Sequence, residues 1–386
     1  MSSPGIQRPV ISNRAEQTSG SDLAGLEADS LIDLALHGLL PMFDPSSQLF
    51  CCRLKLERSG LVREGLSRRY TIISLLGLHR AEANGSHSPV DAKAVLSGLL
   101  HKTTWISNLG DLGLLLWLCA LARPESLEEV CSRLDVQNAL AQFREAREGR
   151  TMELAWFLSG LAHTVLALPA NRLKLTDLAT RAYELLAENQ GDQGIFGHLA
   201  PKKTVAGVFR GRIGTFADQV YPIYALTRFA QAYQVHSALQ MAQRCAEAIC
   251  KVQGPLGQWW WHYDASTGQV LRKYPVYAVH QDGMAPMALF ALGEATRSDY
   301  REPILKGLAW INGNNELGRD VRDASAGVIW RSIYRPASWK KYRDEVCELL
   351  RLDQPAVLVG DLMTLCECRP YHLGWILYAF AGHNCE

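Results

Sequence analysis

The sequence predicts an all-α fold, an (α/α)6 toroid of six inner and six outer helices, on three observations. Segments that are apolar nearly all round alternate with segments that are apolar on one face only. The alternation occurs six times at uneven spacing, as an inner ring wrapped by an outer ring requires. Polar residues mark the start of each apolar segment.

The apolar segments fall at roughly 67–80, 103–122, 151–167, 216–233, 277–296 and 370–381, and they carry many small residues. A helix that is apolar all round is expected to be buried all round. Between them, roughly 91–101, 125–146, 175–189, 237–253, 302–312 and 339–350 are amphipathic and read as the outer layer. An irregular bundle or an α-solenoid is the competing architecture, but a solenoid would repeat more regularly. Residues 1–25 are rich in Ser, Gly and Pro and are expected to be disordered, leaving 26–386 as one toroid domain. Partial alternation around a central Ser59-Gly60 turn suggests a short β-hairpin near residues 48–65.

Composition excludes several function classes. The 386 residues contain 48% hydrophobic and 20% charged side chains, enough to bury a sizeable core. Forty basic residues face thirty-nine acidic ones, so no net field draws nucleic acid or an anionic membrane. The longest apolar run, Leu112–Ala122, is about half of the ~20 residues that span a bilayer. No secretory signal pattern is present at the N-terminus, and the ten cysteines lack zinc-knuckle or thioredoxin spacing. They read as reduced thiols of a cytoplasmic protein. Neither a metal nor a cofactor is expected, since phosphate-loop and dinucleotide glycine patterns are missing too.

Two outer segments end in similar loops. In Gln190–Phe196 and Gln253–Trp259 a Gln is followed by Gly four residues later and an aromatic two further on. A helix stopped by Gly, with the ring folding back over the next inner helix, accounts for the pattern. The loops resemble the Gln-Trp repeat of terpene cyclases. They are also similar to the turns of six-hairpin glycosidases, polysaccharide lyases and uronyl C5-epimerases.

If the inner helices converge, their first turns should surround one mouth. Read in order, these starts hold Arg68, Arg69 and Tyr70; Trp105, Asn108 and Asp111; Glu153 and Trp156; Asp218 and Tyr221; His280, Gln281 and Asp282; Arg369, Tyr371 and His372. Charges inside apolar helices need partners, water or a ligand, and a wet central cavity would serve all of them. Acids at helix starts are also favourable caps, so Asp111, Glu153 and Asp218 are equally explained structurally.

Three dense regions stand out. In the stretch from Lys273 to Met284, His280 and Asp282 are two apart and cannot share a side of a regular helix. If the helix starts near Gln281, His280 sits in the lip and Asp282 faces the cavity as a general acid or base. The glycine- and amide-rich loop from Asn312 leads to Asp323 and Arg331, which are either ligand contacts or an internal ion pair. Pro370 opens the last inner helix and places Tyr371 and His372, with Arg369, at its mouth. Tyr and His together can relay a proton near neutral pH. Among the aromatic residues before the fifth inner helix, Trp259 and Tyr277 are candidates for stacking on a sugar or lining an apolar pocket.

The segment 215–296 looks like the helical domain of uronyl C5-epimerases and six-hairpin glycosidases. That resemblance implies a carbohydrate-active enzyme with an oligosaccharide in the cavity, engaged in biosynthesis or remodelling. In it Asp218, Asp282, Tyr371 and His372 would transfer protons, and His280, Trp259, Tyr277, Asp111, Glu153, Arg69, Asp323, Arg331 and Arg369 would bind substrate. A terpene cyclase or prenyltransferase is the alternative, and a toroid that only binds is a third. Against the second stand the missing Asp-x-Asp-Asp and Asp-Asp-x-x-Asp sequences, and Val220 where the resemblance to prenyltransferase β subunits would place a zinc-binding cysteine.

Overall fold

A computed structural model describes residues 20–88, 90–200, 211–336, 347 and 357–383. Six inner helices follow in chain order: Arg68–Ala83, Leu109–Ala122, Thr151–Ala167, Ala217–Tyr233, the π turn His280–Met284 with Ala285–Thr296, and Pro370–Phe380. Each packs on the next and the sixth packs on the first, so the ring closes. Two pairs of glycines set the closest approaches. A Cβ at Gly77 would overlap the carbonyl of Gly374, and one at Gly160 would overlap that of Gly113, so the first and sixth and the second and third inner helices meet backbone to backbone.

Outer helices run back between the inner ones: Ala92–His101, Arg172–Ala187, His236–Lys251 and Arg301–Ile311. In His236–Lys251 the buried residues Ala238, Met241, Ala242, Cys245, Ala246 and Ile249 recur every three or four positions, the spacing of one helical face. The second inner helix starts later than the apolar run implies, because Asn108 caps it by accepting from the Gly110 N–H. The outer segment expected at 125–146 is broken into Leu127–Arg133, Ala139–Gln142 and Arg144–Glu148, with Asp135 left-handed at φ 49°. The outer helix expected at 339–350 lies outside the described residues, apart from Cys347.

One helix is unexpected. Gly20–Leu39 packs on the sixth inner helix, with Leu31, Ala35 and Leu39 buried, so order begins before Leu26; the rest of the expected N-terminal tail lies outside the described residues. No helix of the described residues is long and apolar enough to cross a membrane.

The expected hairpin is present as Leu49–Glu57 and Gly60–Leu66, paired Cys51↔Leu66 through Glu57↔Gly60, and Glu367–Cys368 adds a strand beside it. Further short sheets join Ile213–Thr215, His262–Asp264 and Val270–Arg272, and join Val276–Tyr277, Ser332–Tyr334 and Met363–Leu365. Strands thus precede the first, fourth, fifth and sixth inner helices, and form a β rim at the end where those helices begin.

The two similar loops do one job. Gln190 Nε2 donates to the Gly194 and Met241 carbonyls, and Gln253 Nε2 donates to those of Gly257 and Pro303, so each glutamine ties its own turn to the next outer helix. Gly194 and Gly257 adopt φ of +85° and +94°, where a side chain would be strained. The backbone N–H of Phe196 then donates to Gln219, and that of Trp259 to Gln281, which anchors each loop on the following inner helix.

Candidate active site

Five first turns meet around a central cavity of about 200 Å³. The first inner helix contributes Arg69, Tyr70 and Ile73; the third, Met152 and Trp156; the fourth, Ala217 and Tyr221; the fifth, His280 and Met284; and the sixth, Tyr371. The β rim supplies Trp261, Tyr277 and Arg331.

Rings make most of the wall. Tyr70 lies 4.6 Å from Tyr371, Trp156 meets Tyr221 edge-on at 5.0 Å, and Trp261 lies over His280 at 6.1 Å with a 13° tilt. Two guanidinium groups cover rings from the same wall, Arg69 over Trp156 at 5.3 Å and Arg331 over Tyr277 at 4.9 Å. Such walls suit a flat ligand that also carries charge or hydroxyls.

The polar groups divide into paired and unpaired. Arg69 Nε donates to Asp111 at 2.6 Å. Arg331 lies 3.1 Å from Glu367, a carboxylate that also binds Arg53 and Arg369 at 2.8 and 3.0 Å. Burial pushes the Glu367 carboxyl up, but the charges of Arg331 and Arg369 and the hydrogen bonds from Arg53 and Arg369 outweigh it and hold the group below its ordinary range. By contrast Trp156 Nε1, His280 Nδ1 and Arg331 Nη1 are buried without a hydrogen-bond partner among the described residues, and all three residues line the cavity. Buried orphan groups are costly and rare, so three around one hollow point to a ligand or water there. Burial, then the charges of Arg331 and His372, push His280 down to about 3, so its ring is neutral.

Two carboxylate–histidine pairs lie next to this wall. Asp282 is wholly buried, with Oδ1 2.7 Å from His372 Nε2 and Oδ2 without a partner among the described residues; burial raises its pKa. Asp218 accepts from the Thr215 backbone N–H and hydroxyl, both at 2.8 Å, and lies 3.0 Å from His198 Nδ1. Asp218 pushes the His198 imidazole up to about 9, which makes it a cation at neutral pH. Glu153 is buried beside this pair with Oε2 unpartnered among the described residues, and burial together with the Asp218 charge raises its carboxyl pKa.

The sequence-expected residues are therefore distributed as follows. Arg69, Tyr277, His280, Arg331 and Tyr371 line the cavity. Asp282 does not face it: the π turn puts His280 on the wall and turns Asp282 behind, onto His372, which is likewise not on the wall. Asp218 and Glu153 sit one residue from the wall positions Ala217 and Met152. Asp111 and Arg369 line a neighbouring groove instead. Trp259 is packing: it is fully buried and stacks on Phe216 at 5.4 Å, and of the run 259–261 it is Trp261 that lines the cavity. Asp323 holds its own hairpin, accepting from Ser325 and the Ala326 N–H, and Arg331 pairs with Glu367 rather than with it. His198 and Glu367 carry no sequence signal that separates them from other loop residues. His198 meets Asp218 from 20 positions away, and Glu367 gathers Arg53 from 314 positions away together with the nearer Arg331 and Arg369.

No family model and no curated relative matches the chain. Solved structures do. An unsaturated glucuronyl hydrolase specific for heparin is 13% identical, covering 94% of this chain and 96% of its own, with a TM-score of 0.59. A possible member of the GH105 family from Salmonella enterica serovar Paratyphi A is 11% identical over 97% and 98%, with a TM-score of 0.62. An unsaturated glucuronyl hydrolase from Streptococcus agalactiae is 11% identical over 99% and 98%, with a TM-score of 0.59. At this identity the likeness shows the fold, an (α/α)6 toroid.

Proposed function

We propose that the chain is a carbohydrate-active enzyme that takes one carboxylate-bearing sugar unit of a polysaccharide or glycoconjugate into the central cavity and acts on it by proton transfer. The observation that carries this reading is the convergence of three polar groups unpartnered among the described residues, on Trp156, His280 and Arg331, in a wall made mostly of rings. A volume of about 200 Å³ equals about seven waters, room for a single sugar ring rather than a chain. Arg331 and Arg69 would hold the carboxylate, and the rings would stack on the apolar sugar faces. Two structural neighbours are glucuronyl hydrolases, and that substrate chemistry is carried over here as part of the proposal.

Proton transfer falls to the groups beside the wall. Glu153, whose carboxyl is biased towards its protonated form, suits a general acid, and Asp218 beside it suits the base. Asp282 with His372 forms a second pair behind His280, and the Tyr371 phenol, kept protonated by burial, can donate from the wall. The nine cysteines among the described residues form no disulfide, which supports a reducing, cytosolic setting and hence biosynthesis or remodelling of a glycoconjugate.

Crystals soaked separately with uronic-acid oligosaccharides and with an isoprenyl diphosphate analogue test the reading. Sugar density between Arg331 and Trp156, with turnover of the same oligosaccharide in solution, is the expected outcome. A diphosphate in the cavity and no sugar would end it.

A further inference from the structure

Arg69 and Tyr70 line the central cavity on one side and, on the other, a wider groove of about 680 Å³. The groove lies between the hairpin Leu49–Leu66 and the start of the first inner helix, with Trp105 and Arg369 completing it. A ligand seated in the cavity would leave it across these two shared side chains. The groove and the cavity together present five guanidinium groups, those of Arg53, Arg68, Arg69, Arg331 and Arg369. Three carboxylates oppose them: Glu64 on Arg53, Asp111 on Arg69, and Glu367 shared by Arg53, Arg331 and Arg369. In a chain whose charges nearly cancel, this surplus of positive charge is local.

The arrangement is held in place. The Glu367 side chain is only 5% exposed, so it aligns three arginines from below and puts little negative charge at the surface. Arg369 also donates to the Tyr70 hydroxyl at 3.0 Å, and the Trp105 ring is fixed by its Nε1 donating to the Leu99 carbonyl at 3.2 Å. Arg68 is exposed and makes no ion pair among the described residues. A fixed ring beside a row of guanidinium groups suits a sugar chain that carries an acid group on successive units.

We infer that this groove is a second binding site, which takes the acidic groups of the sugar units following the one in the cavity, so that the ligand is a carboxylated or sulfated oligosaccharide. This rests on the reading of the cavity as a sugar site, and the test separates the two. Calorimetry on the full chain compares a heparin-derived disaccharide, the tetrasaccharide that extends it, and neutral cellotetraose. The tetrasaccharide should bind at least about tenfold tighter than the disaccharide, and the advantage should shrink as salt rises from about 50 to about 500 mM. Arg68→Glu should abolish that advantage and leave melting temperature unchanged, and Trp105→Leu should reduce it. Disaccharide binding with no tetrasaccharide advantage, or equal gains with cellotetraose, overturns the groove and spares the cavity. No binding of either acidic sugar overturns both.

Discussion

The first turns of the inner helices and the stretch one to two turns further along them use the same residue types to opposite ends. Deeper in the ring, His163 Nε2 meets the Tyr224 hydroxyl at 2.8 Å, Tyr224 meets Tyr378 at 2.6 Å, and Trp117 Nε1 donates to Tyr378 at 3.2 Å. Trp117 stacks on His163 and Tyr224 at 5.0 and 4.7 Å, and Arg228 covers Tyr224, its Nε finding no partner among the described residues. Burial holds His163 well below its ordinary pKa, so the plug is neutral at that ring. At the mouth, Trp156, His280 and Arg331 each keep a polar atom unpaired. Polar groups that satisfy one another specify a core, whereas three left open around one hollow point to a ligand or water that finishes the pairing.

Substitutions should split the two regions cleanly. The largest effect is expected from Glu153→Gln, which keeps the shape but removes the proposed acid: turnover of the oligosaccharide should fall at least about 100-fold, with melting temperature within about 3 °C of the parent. A large loss of stability with turnover retained would assign Glu153 to the core instead. In the plug, Tyr378→Phe leaves Trp117 Nε1 and the Tyr224 hydroxyl short of a partner, and should cost about 1–3 kcal/mol in denaturant unfolding while sugar affinity stays the same.

Smaller effects sharpen the same contrast. Arg331→Ala should weaken binding of an acidic sugar about tenfold to a hundredfold with little change in stability, because Glu367 retains Arg53 and Arg369. An equal loss with a neutral sugar would deny Arg331 its anion-binding role. The smallest effect concerns His198, whose raised pKa predicts an NMR titration near 9 that returns towards the ordinary ~6.5 in Asp218→Asn. Since the folded pKa lies above the unfolded one, the pair's stabilisation is complete below pH ~6.5 and fades as pH rises through about 9. Unfolding curves at both ends of that window, with and without Asp218→Asn, measure it.

Much of the ring was legible from spacing. Outer helices such as His236–Lys251 announce their buried face by period, and the inner ones by having apolar residues all round. The helix Gly20–Leu39 hid behind its Ser and Gly content, although Leu31, Ala35 and Leu39 recur every four residues on the face that docks. The β rim was not legible beyond its hairpin, because strands of two or three residues carry too little alternation to register.

The site shows the same division. Polar residues at the inner-helix starts are visible in the order of residues, and six of them, Arg69, Tyr70, Trp156, Tyr221, His280 and Tyr371, form nearly half of the cavity wall. Which of two near neighbours faces the cavity is not visible, because one π turn between His280 and Met284 rotates His280 to the wall and Asp282 onto His372. Likewise Trp261 faces inward and Trp259 packs behind, according to strand and loop geometry that composition does not encode.

By itself, then, the order of residues determined the six inner helices, four of the outer ones and the collection of polar groups at one end of the ring, since period and burial are local properties of a segment. Tertiary structure alone decided the pairings: Glu367 with three arginines, Asp218 with His198, and Asp282 with His372. The physical reason is that a charge buried in the ring is stabilised by whichever partner the closed ring brings within about 3 Å, and that distance bears no relation to separation along the chain.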